Sequence, residues 1–315
     1  MCSSDLKFAP GGAIVWSYQY SRSGVTGGKD ELSGIDLDVA DDAYVTGRSF
    51  NNTNDDFVTI KIIGSSGLQS WLQSYNGGNN DRATAIVVDN SGNAIITGRS
   101  DNGSDFDYRT IKYDNAGLLQ WTRLYNAPVS EDDRPIAIAV DASDNVIVTG
   151  ISDVDGSSFT NFDFQTVMYN SSGTLQWVAR TGNVVSQDDE PTGIAVDASG
   201  NIFVTGRTDM NPGSGIADYD FMTVMYNTSG VLQWSGQPSY HNGTRLGGDD
   251  IAYSLLADGG YVYVVGASNN NVTQKDATCI KYDVATGNPT WVKYYNGDGD
   301  FSENGKALEI GRAHV

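Results

Sequence analysis

Short apolar runs alternate along this chain with clusters of Gly, Asn, Asp and Ser, and the alternation predicts strands joined by turns. One stretch shows the grammar. Pro135 to Asp141, Asn145 to Gly150, Phe164 to Tyr169 and Leu175 to Arg180 read as four successive strands, A to D. A and B are nearly continuous runs of Val, Ile and Ala, which is the text of strands covered on both faces. The A–B connection reads Asp-x-Ser-Gly-Asn at Asp89 to Asn93 and Asp197 to Asn201, supplying Asx and glycine turn chemistry for a hairpin. The C–D connections turn through Gly67, Gly117, Gly173, Gly230 and Gly287.

The same unit recurs. Six tryptophans, Trp16, Trp71, Trp121, Trp177, Trp234 and Trp291, each stand four residues after a glycine and lie 50 to 57 residues apart. Repetition of four-strand text at this period predicts an all-β fold, a β-propeller of four-stranded antiparallel blades. Five complete blades fall at about 30–75, 81–125, 132–180, 188–240 and 249–295. Residues 12–20 read as a D strand without its A, B and C, and 303–308 as the start of an A strand. The expectation is an open arc from a ring of six to eight blades, with apolar blade faces left uncovered. Trp on strand D, with Leu119, Leu175 or Leu232 on its face, is expected to fill the gap between blades, as are Tyr113, Tyr169, Tyr226 and Tyr282. Cys279 takes the place of Thr59, Thr110, Thr166 and Thr223, so it reads as a small strand residue.

The ends change the count of rare residues. Residues 1–6 and 309–315 back-translate to a sequencing adapter read from opposite strands, so the propeller domain is expected to span 7–308. Setting them aside leaves Cys279 and His241 as the single Cys and His, without Cys2 and His314, which excludes a disulfide framework and a zinc cluster. A formal charge of −20 argues against nucleic acid. No apolar run reaches the roughly 18 residues of a membrane span. Low lysine and abundant Gly, Asn, Asp, Ser and Thr point to an extracellular or cell-surface protein.

Acids recur in register. Asp30, Asp81, Asp133, Asp189 and Asp249 precede strand A, with Glu303 in the next repeat, and Asp56, Asp107, Asp163, Asp220 and Asp276 open strand C. Antiparallel order puts both sets at one end of each blade, together with the long B–C and D–A loops, so a local function belongs on that face. Such carboxylates either lock turns by accepting backbone N–H groups or converge on a hard cation such as Ca²⁺. Arg48, Arg99 and Arg207 at the end of strand B are expected to pair with the acids of both neighbours. Ile151 and Ala267 replace that arginine in two blades, which selects Asp133 with Asp163 and Asp249 with Asp276 as the cation or ligand candidates.

Other motifs carry little. Asn296 to Asp300 resembles the opening of an EF-hand loop, but Phe301 stands where glycine is needed. His241 has no visible Ser or Cys partner for a triad. Gly193 to Gly206 (Gly-Ile-Ala-Val-Asp-Ala-Ser-Gly-Asn-Ile-Phe-Val-Thr-Gly) and Tyr226 to Trp234 resemble the bacterial seven-bladed beta-propeller repeat family, the SBBP repeats. That resemblance implies a secreted or surface scaffold with no defined catalytic residues. Tyr282 to Trp291 resembles the tryptophan docking motif of quinoprotein propellers, which implies pyrroloquinoline quinone on the channel axis, but the adjacent cysteines of those enzymes are missing. The expected function is a noncatalytic binding or scaffold module with a protein or carbohydrate partner. An enzyme using axial carboxylates, quinone-dependent or carbohydrate-active, is the alternative.

Overall fold

The computed structural model describes residues 3–25, 28–128, 132–153, 162–182, 188–209, 219–234, 239–240, 249–271, 274–295 and 305–308, and every regular element among them is a strand. A hairpin joins β1 (Ser3–Phe8) to β2 (Ile14–Tyr20). Five four-stranded sheets follow, each made of consecutive strands. The first holds β3 (Asp30–Leu37), β4 (Ala43–Phe50), β5 (Asp55–Ile62) and β6 (Gln69–Tyr75). The second holds β7 (Asp81–Val88), β8 (Ala94–Asp101), β9 (Phe106–Tyr113) and β10 (Leu119–Tyr125). In the third lie β11 (Asp133–Val140), β12 (Val146–Asp153), β13 (Phe162–Tyr169) and β14 (Leu175–Thr181). The fourth has β15 (Glu190–Val196), β16 (Ile202–Asp209), β17 (Tyr219–Tyr226) and β18 (Ser239–Tyr240). The fifth has β19 (Ile251–Asp258), β20 (Tyr261–Asn271), β21 (Gln274–Asp283) and β22 (Pro289–Tyr295).

These strands form two compact units, Met1–Val148 with Tyr169–Thr174, and Thr149–Met168 with Leu175–Val315. In the first unit the core lies between sheets. Tyr44 and Phe57 of the first sheet bury against Ala83, Ile96, Ile111 and Tyr113 of the second, and Tyr20 of β2 buries against Val45, Val58 and Ile60. The second unit repeats the arrangement, with Phe203, Phe221 and Trp234 against Val262, Val264 and Ile280. First strands of neighbouring sheets are also stitched together: Ser33 Oγ donates to Ala83 O at 2.8 Å, and Thr192 Oγ1 to Ala252 O at 2.9 Å.

Each docked tryptophan binds the following repeat. Its indole N–H donates to a carbonyl in the next C–D turn: Trp16 to Gly64 (2.9 Å), Trp71 to Asn115 (3.0 Å), Trp121 to Ser171 (3.1 Å), Trp177 to Thr228 (3.1 Å) and Trp234 to Val284 (3.0 Å). The ring then lies on the glycine of that turn. A Cβ on Gly67, Gly117, Gly173, Gly230 or Gly287, all at positive φ, would meet the indole at 2.6, 2.9, 2.8, 2.5 and 2.7 Å. Glycine therefore precedes tryptophan by four residues because the turn leading into one indole is the seat of the indole before it. The tyrosine ending strand C completes the contact, with ring centroids 6.1 Å apart for Trp71–Tyr113, Trp121–Tyr169 and Trp177–Tyr226.

A second device sits in strand B. Register slips between Leu32 and Gly34, Ala83 and Ala85, Pro191 and Gly193, and Ala252 and Ser254, so each of these A strands bulges. Opposite the bulge stand Gly47, Gly98, Gly206 and Gly266. A Cβ there would lie 2.0 to 2.3 Å from the carbonyl of Glu31, Arg82, Glu190 or Ile251. Only glycine admits that approach.

Several expectations are corrected. Strand A is only part-buried, with every second residue exposed in β3 and intermediate burial along β7, β11, β15 and β19, and it is B and C, central in the sheet, that are the most deeply buried, as in β5 and β12. Strand β2 is not a lone D strand, because β1 pairs with it from Ser3 opposite Tyr20 to Phe8 opposite Ile14. In the fourth sheet the described D-strand pairings are the bridge of Leu232 to Tyr226 and, at Ser239–Tyr240, Ser239 opposite Met222. Five positions separate Trp234 from Ser239 where three separate Trp121 from Leu124, so this D strand carries two extra residues. At 305–308 no strand forms, although Gly305 N–H donates to Gly266 O at 3.1 Å, and Glu303 lies outside the described residues.

The Asx turns stand as expected. Asp89 accepts from the N–H groups of Ser91 and Asn93 and from the Asn93 side chain, and Asp141 and Asp197 do the same. Asp89 alone of these three adds a buried ion pair, with Lys112 Nζ at 2.7 Å. Burial by itself would raise its pKa, but the bonds from Lys112 and Asn93 outweigh burial and hold the carboxyl below its ordinary value.

Gly117→Ala is expected to cost about 2 kcal/mol or more, from the left-handed backbone and the indole contact together. Gly103→Ala, at φ 97° with its nearest neighbour 3.6 Å away, is expected to cost about 1 kcal/mol. Urea denaturation midpoints compare the two, and equal losses would remove the seat from the account. For Asp89→Asn the expected loss at pH 7 is about 3 kcal/mol, since Lys112 is left buried without its anion. Because the folded pKa is depressed, that stabilisation is complete above the unfolded value and disappears as pH falls through the folded one. The curves of wild type and mutant should therefore converge on acidification, and a gap that persists at the lowest pH would refute the ion pair.

Candidate functional site

The starts of strands A and C and the end of strand B meet at one end of each sheet, and pairing register decides which side chains face one another there. In the second sheet Asp81, Ser100 and Asp107 are direct cross-strand partners, as are Asp30, Ser49 and Asp56 in the first. Ser100 Oγ donates to Asp81 at 2.5 Å, and Gly77 N–H reaches its other oxygen at 2.5 Å. Asn102 Nδ2 donates to Asp107 at 3.0 Å. Burial raises the pKa of both acids, with the nearby Asp105 adding to the effect at Asp107. In the first sheet Arg22 pairs with Asp56 at 2.6 Å, and its backbone N–H reaches Asp30 at 3.2 Å.

The strand-B arginine is one residue from this row and therefore points to the opposite face. Arg48 bonds Glu31 at 2.6 Å and Asp55 at 2.7 Å rather than Asp30 and Asp56. Arg207 bonds Glu190 at 2.6 Å and lies over the Tyr219 ring. Arg99 makes neither expected bond, to Asp81 or to Asp107. It lies 4.6 Å from the centroid of the Phe106 ring. In the second sheet the residue that bonds the acid row is the hydroxyl beside the arginine position, Ser100, and the same position holds Ser49, Ser152, Thr208 and Ser268 in the other four sheets. That recurrence is visible in the chain.

The four selected aspartates are placed as follows. Asp133, in the first unit, is buried and accepts from Ala127 N–H at 2.7 Å. Asp163, in the second unit, is buried and paired with Arg180 of β14, so it does have a basic partner, supplied by strand D instead of B. Asp249 is part-exposed, 3.6 Å from Lys275. The buried acid in register with Asp81 is instead Asp250, whose N–H donates to Tyr219 O at 2.5 Å. The cause is the Gly259-Gly260 turn, one residue shorter than the Asn90-Ser91-Gly92 turn, which shifts strand A by one place. Asp276 is buried opposite Ser268. Among the described residues no group of three His, Cys, Asp or Glu side chains is disposed to hold a metal ion. His241, the EF-hand-like loop at 296–300 and Cys2 lie outside the described residues.

On the arginine face of the first two sheets an open cleft of about 410 Å³ is lined by Glu31, Ser33, Arg48, Arg82, Thr84 and Arg99. Arg82 reaches Asp55 at 3.0 Å, and Arg134, close by, pairs with Asp132 at 2.5 Å. Among the described residues no carboxylate pairs with Arg99. Burial, then repulsion from Arg82 and Arg134, loosens its hold on its proton. A guanidinium stays charged under these conditions, so the cleft presents an uncompensated cation.

Comparison with known proteins agrees with the fold. Over 231 residues the chain is 28% identical to the regulatory protein FlaEY of Caulobacter vibrioides, covering 68% of this chain and 23% of that protein, so the chain spans under a quarter of the relative's length. A quinohemoprotein alcohol dehydrogenase of Pseudomonas putida superposes with a TM-score of 0.50 at 12% identity, over 90% of this chain and 56% of that one. A Bacteroides caccae protein of unknown function gives 0.44 at 12% identity, over 93% and 89%. Residues 176–213 match the family model of the SBBP beta-propeller repeat, and the described sheets on either side of that segment repeat its four-stranded plan.

Proposed function

We propose that this chain is a noncatalytic extracellular binding module, and that the cleft around Arg82 and Arg99 receives a carboxylate of an acidic carbohydrate or protein ligand. Arg99 carries the reading. Its neighbours Arg48, Arg82 and Arg134 each have a carboxylate partner, whereas Arg99 has an aromatic ring beneath it and an open cleft beside it. A planar guanidinium already stacked on a ring is oriented to take a carboxylate through two parallel bonds. Ser33 and Thr84 add hydroxyls suited to a sugar. The rim acids support a noncatalytic role. An acid–base pair needs carboxyls whose pKa values are driven apart, and Asp81 and Asp107 are both driven up, by the same burial. The likeness to a dehydrogenase is one of fold and brings no cofactor with it. Composition, low in Lys and rich in Gly, Asn, Asp, Ser and Thr, supports a place outside the cell.

On a glycan array with uronate-bearing and neutral members, and in titrations with Asp-rich peptides, the wild type should select the acidic ligands and bind less well as salt rises. Arg99→Ala should weaken that binding at least about 10-fold, equivalent to about 1.4 kcal/mol. Arg99→Lys should recover only part of it. Binding unaltered by Arg99→Ala, or no preference for acidic ligands, would overturn the assignment.

A further inference from the structure

The cleft beside Arg99 departs from the plan of the other sheets in a second respect, which concerns a hydroxyl. Each bulge in strand A pushes one residue out of the ladder: Ser33 between Leu32 and Gly34, Thr84 between Ala83 and Ala85, Thr192 between Pro191 and Gly193. All three carry a hydroxyl, and in two of them it is committed to backbone. Ser33 Oγ donates to Ala83 O at 2.8 Å and reaches Thr46 O at 3.4 Å, and Thr192 Oγ1 donates to Ala252 O at 2.9 Å and reaches Thr205 O at 3.2 Å. Each hydroxyl thus ties strand B of its own sheet to strand A of the next.

Thr84 breaks that rule. The corresponding carbonyls are those of Thr97 and Pro135, which like the cleft lie in the first unit. Among the described residues the Thr84 hydroxyl bonds neither of them nor any other group. Thr84 is half-buried and lines the cleft together with Arg82 and Arg99. Arg82 stands directly opposite Arg99, where Glu31 stands opposite Arg48 and Glu190 opposite Arg207. At one place, then, the plan lacks both the acid that would neutralise the arginine and the bond that would occupy the hydroxyl.

A guanidinium and a hydroxyl left available together select a ligand that carries an anion and a polar oxygen side by side. Ser33, the other hydroxyl of the cleft, has already given its hydrogen to Ala83 O and can only accept, whereas Thr84 can donate and accept. An Asp or Glu side chain holds its carboxylate on a methylene stem with no hydroxyl beside it. A uronate bears an oxygen on the ring carbon next to the one that carries its carboxylate. We propose that Thr84 determines the specificity of this cleft and that the ligand is an acidic carbohydrate, with Arg99 taking a uronate carboxylate and the Thr84 hydroxyl bonding the neighbouring ring oxygen. The assignment rests on the reading of Arg99 as the carboxylate anchor.

Three probes separate the classes by ligand-observed NMR titration of the 315-residue chain. They are methyl β-glucuronoside, cyclohexanecarboxylate, which keeps the ring and the anion without the hydroxyls, and an Asp-rich peptide. Wild type should bind the glucuronoside at least about fivefold more tightly than either of the others, because a site built to bond a ligand hydroxyl disfavours the analogue without it. Thr84→Val, which keeps the β-branched shape, and Thr84→Ala should each weaken the glucuronoside at least about fivefold and leave the other two within about twofold. Thr84→Ser, which restores the hydroxyl, should return glucuronoside binding to within about threefold of wild type. Unchanged urea midpoints establish that the variants are folded. If the folded Thr84 variants weaken all three probes alike, or none, while Arg99→Ala weakens all three, Thr84 sets no specificity and the proposal fails with the anchor intact. A wild type that prefers the Asp-rich peptide to the glucuronoside makes the ligand a protein and overturns it in the same way. If Arg99→Ala changes none of the three, the anchor itself is wrong and the role of Thr84 goes with it.

Discussion

The contact between an indole on one repeat and a glycine turn on the next is the constraint from which the rest of this structure follows. Four short strands cannot bury both faces of their sheet by themselves, and a repeat gains a core only against a neighbour. The indole supplies that contact with direction. Its ring covers apolar surface while its N–H must find an acceptor, and the acceptor is a carbonyl in a turn whose position is fixed by the next sheet. Because each turn glycine seats one tryptophan and leads into another, the spacing between them is a by-product of packing in two directions at once. Substituting either residue disturbs two sheets.

Most of this plan is legible in the chain. Apolar runs, Asx turns and the tryptophan period locate the five sheets to within a few residues, because the turn residues and the strand text are both local signals. The seat is half legible. Gly-x-x-x-Trp is plain as a phrase, but nothing local says that the glycine of one phrase serves the tryptophan of the phrase before. Strand-B glycines are similar: Gly98 marks the place, while the bulge between Ala83 and Ala85 that makes glycine necessary appears only when the strands are paired.

The errors at the acid rim share one origin, which is that cross-strand geometry has a period of two and punishes a slip of one. Arg99 lies next to Ser100, and only the serine shares a row with Asp81 and Asp107. Aligning Asp249 with Asp81 ignores the shorter Gly259-Gly260 turn, and the register-equivalent acid is Asp250. Charge complementarity between residue types was a sound expectation, but it carries no information about which face a side chain occupies.

Repetition and deviation therefore carry different information. A buried carboxylate is costly unless it is bonded, and the rim acids are met by donors close at hand: the Ser100 hydroxyl at Asp81, a backbone N–H from the D–A connection at Asp81 and Asp133, an arginine at Asp56 and Asp163. A feature demanded by every sheet is explained by the sheet. Ligand recognition belongs to what is not repeated, because a ligand meets the rim at one place. In the first unit the neighbouring arginines are neutralised by Glu31, Asp55 and Asp132, and the sheet bearing Arg99 departs from that pattern by placing Arg82 opposite the guanidinium where the first sheet places Glu31 opposite Arg48. A glutamate-to-arginine difference at the start of strand A removes the carboxylate that pairs Arg48 and Arg207 and leaves Arg99 an available cation. In a chain of net charge −20 that is a local reversal of sign, and a reversal confined to one repeat is what selective binding of an anionic group requires.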